Sequence, residues 1–576
     1  MGDQVFLLPR SAERTPRRHF VRRFSVPRWL YPMAAICGGS GLIGLHGARF
    51  GNWIVDDAAI TFAYARSIAS GYGPVLQPGA GPTEGYSNPT WVGLLSLGRL
   101  AGLFDRGAIF GIPDYVLFPK ALALLCCAGL LAVCHGAAAK VVKRPALVTF
   151  AVGALLAAIP SFVIWCFSGL ENSLYALIVT SLGAMLLRAT IDDRLLTTRV
   201  ALLGGTLAAL AALTRPDGLI YGAVYPLVVL IQIRRPTVRP GIRSVGISIA
   251  VFVAIFGAYL TWRHLEFGRW TSLPTAAKAQ TPPDTGSLAR AGELISYIGA
   301  LAGIVLAILI GMTMVRPSKL RSGLISFVVP LVLAVVAYSV LTPDWMGQLR
   351  FATPVWPLVV IVGVFAGEAA FRHVGARGRV VLAAALIVAV LPAWNVFSSY
   401  SDGFRAAPTV PMCWIATRPS RVDNAYADIL GVRNGSLLAP DVGATALTSR
   451  LYIIDLAGLT DSKMANLWAN QRWGELDDYV FDVAKPTFIE LHPPWSVETG
   501  LTADYRLLRD YVKLREEPDG QHDITDWVRK DAVPSADRLQ QARDFGATKA
   551  SQAMAKVGAA PHGQCGAILR PGQWPT

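Results

Sequence analysis

Apolar residues in this chain gather in long runs instead of alternating with polar ones. The first run covers about 29–48, and ten more fall at about 116–138, 146–167, 172–187, 200–214, 218–233, 244–262, 293–314, 324–342, 355–371 and 380–398. A helix that crosses a bilayer needs roughly 20 apolar residues, so the pattern predicts eleven spans, with 172–187 and 200–214 the shortest. Beyond residue 399 no run is long enough to span. There "SLLAPDVGATALTS", "RLYIIDLAGLTD" and "PTFIELHPPW" read as short buried strands ending in turn residues, and "SADRLQQARDFGATKASQAMAKV" has helical spacing. The predicted architecture is an α-helical polytopic membrane protein with a C-terminal α/β domain: a basic N-terminus (1–28), a membrane domain (29–398) with a long first external loop (49–115), and an exported domain (399–576).

Charge gives this pattern a direction. Every second connection is basic: Lys140, Lys143 and Arg144; Arg188, Arg194 and Arg199; Arg234, Arg235, Arg239 and Arg243; Arg316, Lys319 and Arg321; Arg372, Arg377 and Arg379. By the positive-inside rule these face the cytoplasm together with the arginine-rich N-terminus. An odd number of spans then sends 399–576 to the outer face of the cell membrane. A signal peptide is the alternative reading of 29–48, but the run is long for one and a cut after Ala48 would place His46 at the −3 position, so a retained anchor is expected.

Composition agrees. Of 576 residues 53% are hydrophobic and 16% charged, against about 25% charged in soluble domains. The net charge of +15 sits in short clusters between spans and forms no stripe with interleaved aromatics, which argues against nucleic acid as a partner. Cys37, Cys126, Cys127, Cys134 and Cys166 fall in apolar runs as small packing residues. Cys413 and Cys565 bracket the exported tail, where an oxidising compartment would allow a disulfide whose geometry sequence cannot supply. "GSGLIG" at 39–44 fits GxGxxG but lies inside the first span with no strand before it, so close helix packing explains it better than a nucleotide.

The external loops share a habit. The first carries Asp56, Asp57, Glu84, Tyr86 and Asn88; the second Glu171; the third Arg215 and Asp217; the fourth Lys278; the fifth Asp344 and Arg350. Singly each has a bland explanation: Asp56 or Asp57 caps the amphipathic stretch "DDAAITFAYARSIASG", Glu171 caps the next helix, Arg215 marks a membrane boundary. Together they place acids and cations on one face. A carboxylate that deprotonates a sugar hydroxyl, with cations stabilising a departing phosphate, is the chemistry of glycosyl transfer. A donor held by a lipid tail would be met just above the spans.

The stretches "DDAAITFAYARSIASGYGPVLQPG" and "TEGYSNPTW" resemble the first external loop of the GT-C superfamily of membrane glycosyltransferases, and are similar more narrowly to the group containing the terminal β-arabinofuranosyltransferases of mycobacterial and corynebacterial cell walls. "SGLEN", "TRPDG", "LPTAAKA", "LRFATPVWP" and "VGATALTSRLYIIDLAGLTD" follow in order, so the resemblance covers about 50–495. It implies a polyprenyl-phosphate sugar donor, an acceptor glycan on the outer face and a first-loop Asp at the reaction centre, with Asp56 the first choice and Asp57 beside it. It further implies that Glu84, Tyr86 and Asn88 shape the site, and that Arg215 and Arg350 contact donor phosphate with help from Lys278. A divalent cation between the paired acids and the phosphate would fit this scheme. The turn "PGAGPTEGYSN" and Asn172 depart from the group's usual residues, which leaves the identity of the sugar open. The tail either binds glycan through exposed Trp and Tyr or only covers the site. A lipid-linked oligosaccharide ligase or polymerase is the nearest alternative enzyme. A lipid flippase is the alternative class, but its site should lie at the midplane between broken helices of matched halves.

Overall fold

The computed structural model describes residues 27–277, 285–315, 317–519, 522–553 and 555. Nearly all of the N-terminal basic segment, Lys278 and Cys565 lie outside them. The apolar runs are helical: α1 (Leu30–Ala48), α4 (Asp114–Val141), α5 (Pro145–Ala158) with α6 (Pro160–Cys166), α7 (Asn172–Ile191), α8 (Thr198–Thr214), α9 (Val224–Gln232), α10 (Val238–Phe267), α12 (Thr285–Ile298) with α13 (Ala300–Val315), α14 (Lys319–Val340), α15 (Val355–His373) and α16 (Ala376–Ala406). The first loop, between α1 and α4, holds α2 (Asp56–Ala69), α3 (Pro89–Leu100) and a hairpin of β1 (Ala108–Ile109) and β2 (Ile112–Pro113), and a short α11 (Leu273–Ala277) follows α10.

Among the described residues six helices are long and apolar enough to cross a membrane, or up to eight if two bent pairs each count as one span. The chain is thus a multi-pass membrane protein, with fewer straight spans than the eleven apolar runs suggested. The bends have local causes. Between α5 and α6 the axis turns by 85° at Ile159–Pro160, where proline removes a helix donor and disfavours helical backbone before it. Between α12 and α13 it turns by 97° at Gly299, whose φ of +87° only glycine adopts without strain. The two breaks meet: the Ser161 N–H freed at the first donates to the Tyr297 hydroxyl, two residues before the second, at 2.9 Å.

Packing sorts the helices into inner and outer. In α7 and α15 61% of the most apolar window is buried, against 11% in α10 and α16, whose apolar side chains therefore face lipid. Four of the five glycines of α1, Gly38, Gly39, Gly44 and Gly47, serve close approach, and Gly41 is open. A Cβ on Gly39 would meet Leu131 and the backbone of Gly153 at 2.8 and 3.2 Å, so "GSGLIG" is a helix-packing surface. At 30 residues α10 is about 45 Å long, longer than a bilayer core of about 30 Å, and its overhanging end reaches the first loop.

After α16 come α17 (Met412–Ile415), α18 (Asp423–Leu430), β3 (Ser436–Ala439), α19 (Val442–Thr448), β4 (Tyr452–Asp455), α20 (Ser462–Ala469), β5 (Phe488–Leu491), β6 (Tyr511–Asp519) and β7 (His522–Arg529). The sheet order is β4-β3-β5-β7-β6, with β3 parallel to β4 and β5, and β7 antiparallel to β5 and β6. The three predicted strands are β3, β4 and β5, and the predicted terminal helix starts at Ala536. This sheet domain is fused to the first loop. Val55 bridges Pro411, Met412 N–H donates to Ile54 O at 2.9 Å, and the Trp53 indole donates to Thr409 O at 2.8 Å. Cys413, buried beside this seam, is disulfide-bonded. Its expected partner Cys565 lies outside the described residues.

Candidate functional site

Asp56 and Asp57 open α2, as expected for acids in a first helical turn. Asp56 is 6% exposed, and its Oδ1 accepts the Ala444 N–H of α19 at 2.8 Å. Ala444 is the third residue of α19, so a first-loop carboxylate caps a helix of the sheet domain. The residue placed to do this locally, Asp441, turns away: its Oδ2 lies 3.0 Å from His492 Nε2. The approach is so close that a Cβ on Gly443 would sit 2.2 Å from Asp56 O and 2.5 Å from its Oδ2. Burial, then the charges of Asp441 and Asp57, push the Asp56 carboxyl well above the ordinary carboxylate range, against the Ala444 N–H that favours its ionised form. Asp57 is half-buried. Burial lowers the His492 imidazole's affinity for a proton, but Glu490 and Asp441 outweigh it and the net direction is upward.

Four loops meet in one cluster. Glu171 accepts Asn88 Nδ2 at 2.7 Å and Arg215 Nη1 at 2.9 Å. Arg215 Nε donates to Asp217 at 2.8 Å, and Tyr175 OH donates to the same carboxylate at 3.1 Å. Arg350 donates to Asp344 at 2.9 Å and lies 3.8 Å from Glu171. The Phe351 ring sits beneath the Arg215 guanidinium at 5.0 Å. Thus Asn88, Glu171, Arg215, Asp217 and Arg350, far apart in sequence, form one buried network. Arg215 is enclosed by two carboxylates, whereas Arg350 keeps its buried Nε–H without a hydrogen-bond partner among the described residues.

Glu84 belongs to a second cluster. It accepts the Tyr259 hydroxyl and pairs with Arg263 at 2.5 Å, both from the overhanging end of α10, while its carbonyl accepts the Leu273 N–H at 3.0 Å. Burial raises the Glu84 carboxyl and Arg263 opposes. Tyr86 packs edge-on against Tyr64 at 5.0 Å. Sequence reading missed Tyr259 and Arg263 because they lie at the end of an apolar run read as span, and missed Asp441, Gly443 and His492 because only the fold brings them to the first loop. Among the described residues no group of three or more His, Cys, Asp or Glu side chains is placed to hold a metal ion. A divalent cation at the paired acids would take its other ligands from substrate or from outside the described residues.

No known family profile and no curated protein matches the sequence. Solved structures do. ArnT from Cupriavidus metallidurans, solved bound to undecaprenyl phosphate, superposes with a TM-score of 0.52 at 12% identity over 88% of this chain and 99% of that one. The apo oligosaccharyltransferase of Archaeoglobus fulgidus gives 0.49 at 10% identity over 81% and 70%. The A. fulgidus AglB complex with an inhibitory peptide and a dolichol-phosphate gives 0.47 at 10% over 88% and 75%. The ArnT superposition, which spans nearly all of that chain, shows a shared fold.

Proposed function

We propose that this chain is a glycosyltransferase that takes a sugar from a polyprenyl-phosphate donor and places it on a cell-envelope glycan at the outer face of the membrane. The observation that carries this reading is the position of Asp56 and Asp57, at the seam between the membrane domain and the exported domain of a fold shared with ArnT. ArnT's bound undecaprenyl phosphate supports the lipid carrier, and the first-loop resemblance supports arabinofuranose as the sugar. The basic connections set the orientation, with the N-terminus cytoplasmic and the sheet domain outside.

We assign different tasks to the two acids. Asp56 is buried, favours its protonated form and is committed to α19, so it positions the seam. Asp57, the more exposed of the two, is the group we assign to the acceptor hydroxyl as general base. This reverses the order of preference that the resemblance implied. Arg350, with hydrogen-bonding capacity left, is the arginine we assign to donor phosphate; Arg215, held by Glu171 and Asp217, braces the loops.

The test is sugar transfer by purified, lipid-reconstituted protein given radiolabelled decaprenyl-phosphate arabinose and an arabinan oligosaccharide. Wild type should transfer. Asp57→Asn should lose at least about a hundredfold in kcat, the ordinary share of a general base, while keeping its melting temperature. Transfer only from another polyprenyl-phosphate sugar would replace arabinose, transfer only from a lipid diphosphate would favour the ligase, and lipid movement between leaflets without transfer would overturn the reading.

A further inference from the structure

A groove of about 790 Å³ lies between the first-loop turn at 76–83 and the β4 edge of the sheet domain. That volume is within the range of roughly 300–1,000 Å³ usual for small-molecule sites. Its walls present amide and hydroxyl groups from Asn434, Thr83, Ser462 and Tyr479, with Tyr452 45% exposed along one side. Arg433 and Lys485 stand at its rim, exposed and in no ion pair among the described residues. Its inner end is rigid. Tyr64 OH is 2.8 Å from Thr83 Oγ1 and accepts the Gly85 N–H at 3.1 Å. Thr460 packs on Gly85 and bonds to Asp455, which is buried and also takes the Thr460 and Gly458 N–H groups.

β4 ends the sheet, and an unpaired edge strand ordinarily invites an extended peptide. Here that mode is blocked. The Gln77 side chain takes both outward groups of Ile453, donating Nε2 to its carbonyl at 2.9 Å and accepting its N–H at 3.0 Å. What remains open is a trough of hydroxyl and amide groups, with the Asp461 carboxylate and the Arg450 and Arg529 guanidiniums among its lining, a tyrosine face beside it, and Arg433 and Lys485 as further donors. Those features suit a hydroxyl-rich chain whose rings stack on an aromatic and whose hydroxyls take and give hydrogen bonds.

We infer that this groove holds the acceptor oligosaccharide, several units back from the reacting end, and feeds that end past Thr83 toward the first-loop acids. The inference rests on the glycosyl-transfer reading for its direction, but binding can be measured without turnover. Full-length protein in lipid nanodiscs is titrated with arabinan, galactan and mannan series, each from di- to octasaccharide, and followed by ligand-observed saturation-transfer NMR. One series should bind more tightly as it lengthens. Tyr452→Ala should weaken the long members about five- to tenfold, the worth of one aromatic platform, and Tyr452→Phe should restore them. Gly81→Trp should weaken them by more than about tenfold, because a Cβ at Gly81 meets nothing within 4 Å and the indole can fill the trough without disturbing the backbone.

Binding that ignores chain length, Kd values unchanged in both Tyr452→Ala and Gly81→Trp, or binding by none of the series would overturn the groove assignment. Glycan binding with this pattern but no sugar transfer from any donor would sink the enzymatic reading and leave the groove a glycan site.

Discussion

Asp441 occupies the position before α19 from which an aspartate ordinarily caps its own helix, yet the cap comes from Asp56, nearly four hundred residues earlier. Such an exchange cannot be read from sequence, where Asp441 and Asp56 each look like the cap of the helix that follows. What was legible was the pair itself and its place at the start of a first-loop helix. The exchange makes Gly443 obligatory: Gly443→Ala should push α2 and α19 apart and lower the melting temperature of the full chain by several degrees, whereas Gly474→Ala, at an open position, should not. Equal melting curves would refute the close seam. Asp455 gives a pH signature. Burial pushes its carboxyl up to about 7 despite three hydrogen bonds from Gly458 and Thr460. Between the ordinary carboxylate range and that value the folded chain holds a proton that the unfolded chain has released. Its contribution to stability is therefore greatest below this window and falls as pH rises through it. Melting temperature should drop more between about pH 4.5 and 8 in wild type than in Asp455→Asn; equal drops would remove Asp455 as the cause.

Elements that depend on local pattern were readable, and those that depend on a partner were not. Apolar runs became helices and three short runs became β3, β4 and β5, because burial on both faces needs only a continuous apolar stretch. The hairpin of β6 and β7 was missed. Nearly half of its strand residues are charged, which hides the alternation, and the only signal was the Pro-Asp-Gly turn of "EEPDGQHD". The two helix breaks were also unread, although Pro160 and Gly299 stand in plain view, because an apolar run with one breaker looks like a span. Their mutual lock is testable. Tyr297→Phe leaves the Ser161 N–H buried without its acceptor, which should cost about 1–3 kcal/mol. Thermal unfolding in detergent would read this as a lowered midpoint, and an unchanged midpoint would mean that the breaks are held by packing alone.

At the scale of the molecule, four loops and the end of α10 are drawn to one face by buried charge. Glu171 is the hub, tied to the loops of Asn88, Arg215 and Arg350. Glu171→Ala would leave Arg215 with Asp217 alone, Arg350 with Asp344 alone and Asn88 Nδ2 without its acceptor, and the expected loss is about 1–3 kcal/mol, that of leaving a buried polar group unsatisfied. Glu171→Gln, which keeps the shape and one acceptor, should lose less; a smaller effect of Ala than of Gln would disprove the hub. Sequence reading named the members of this network but gave no hint of which acid holds which arginine, which is why both arginines were expected at phosphate and only Arg350 is assigned there.

The side-chain clasp of Gln77 on Ile453 has a meaning for the protein's company in a crowded membrane. It covers the outermost strand from the side on which neighbouring copies would otherwise stitch themselves together, so solubility of the sheet domain is on loan from the membrane half. A fragment starting after residue 407, freed of the first loop, should form oligomers or fibrils through β4 in light scattering, and Tyr452→Lys, at the exposed position of that strand, should keep such a fragment dispersed.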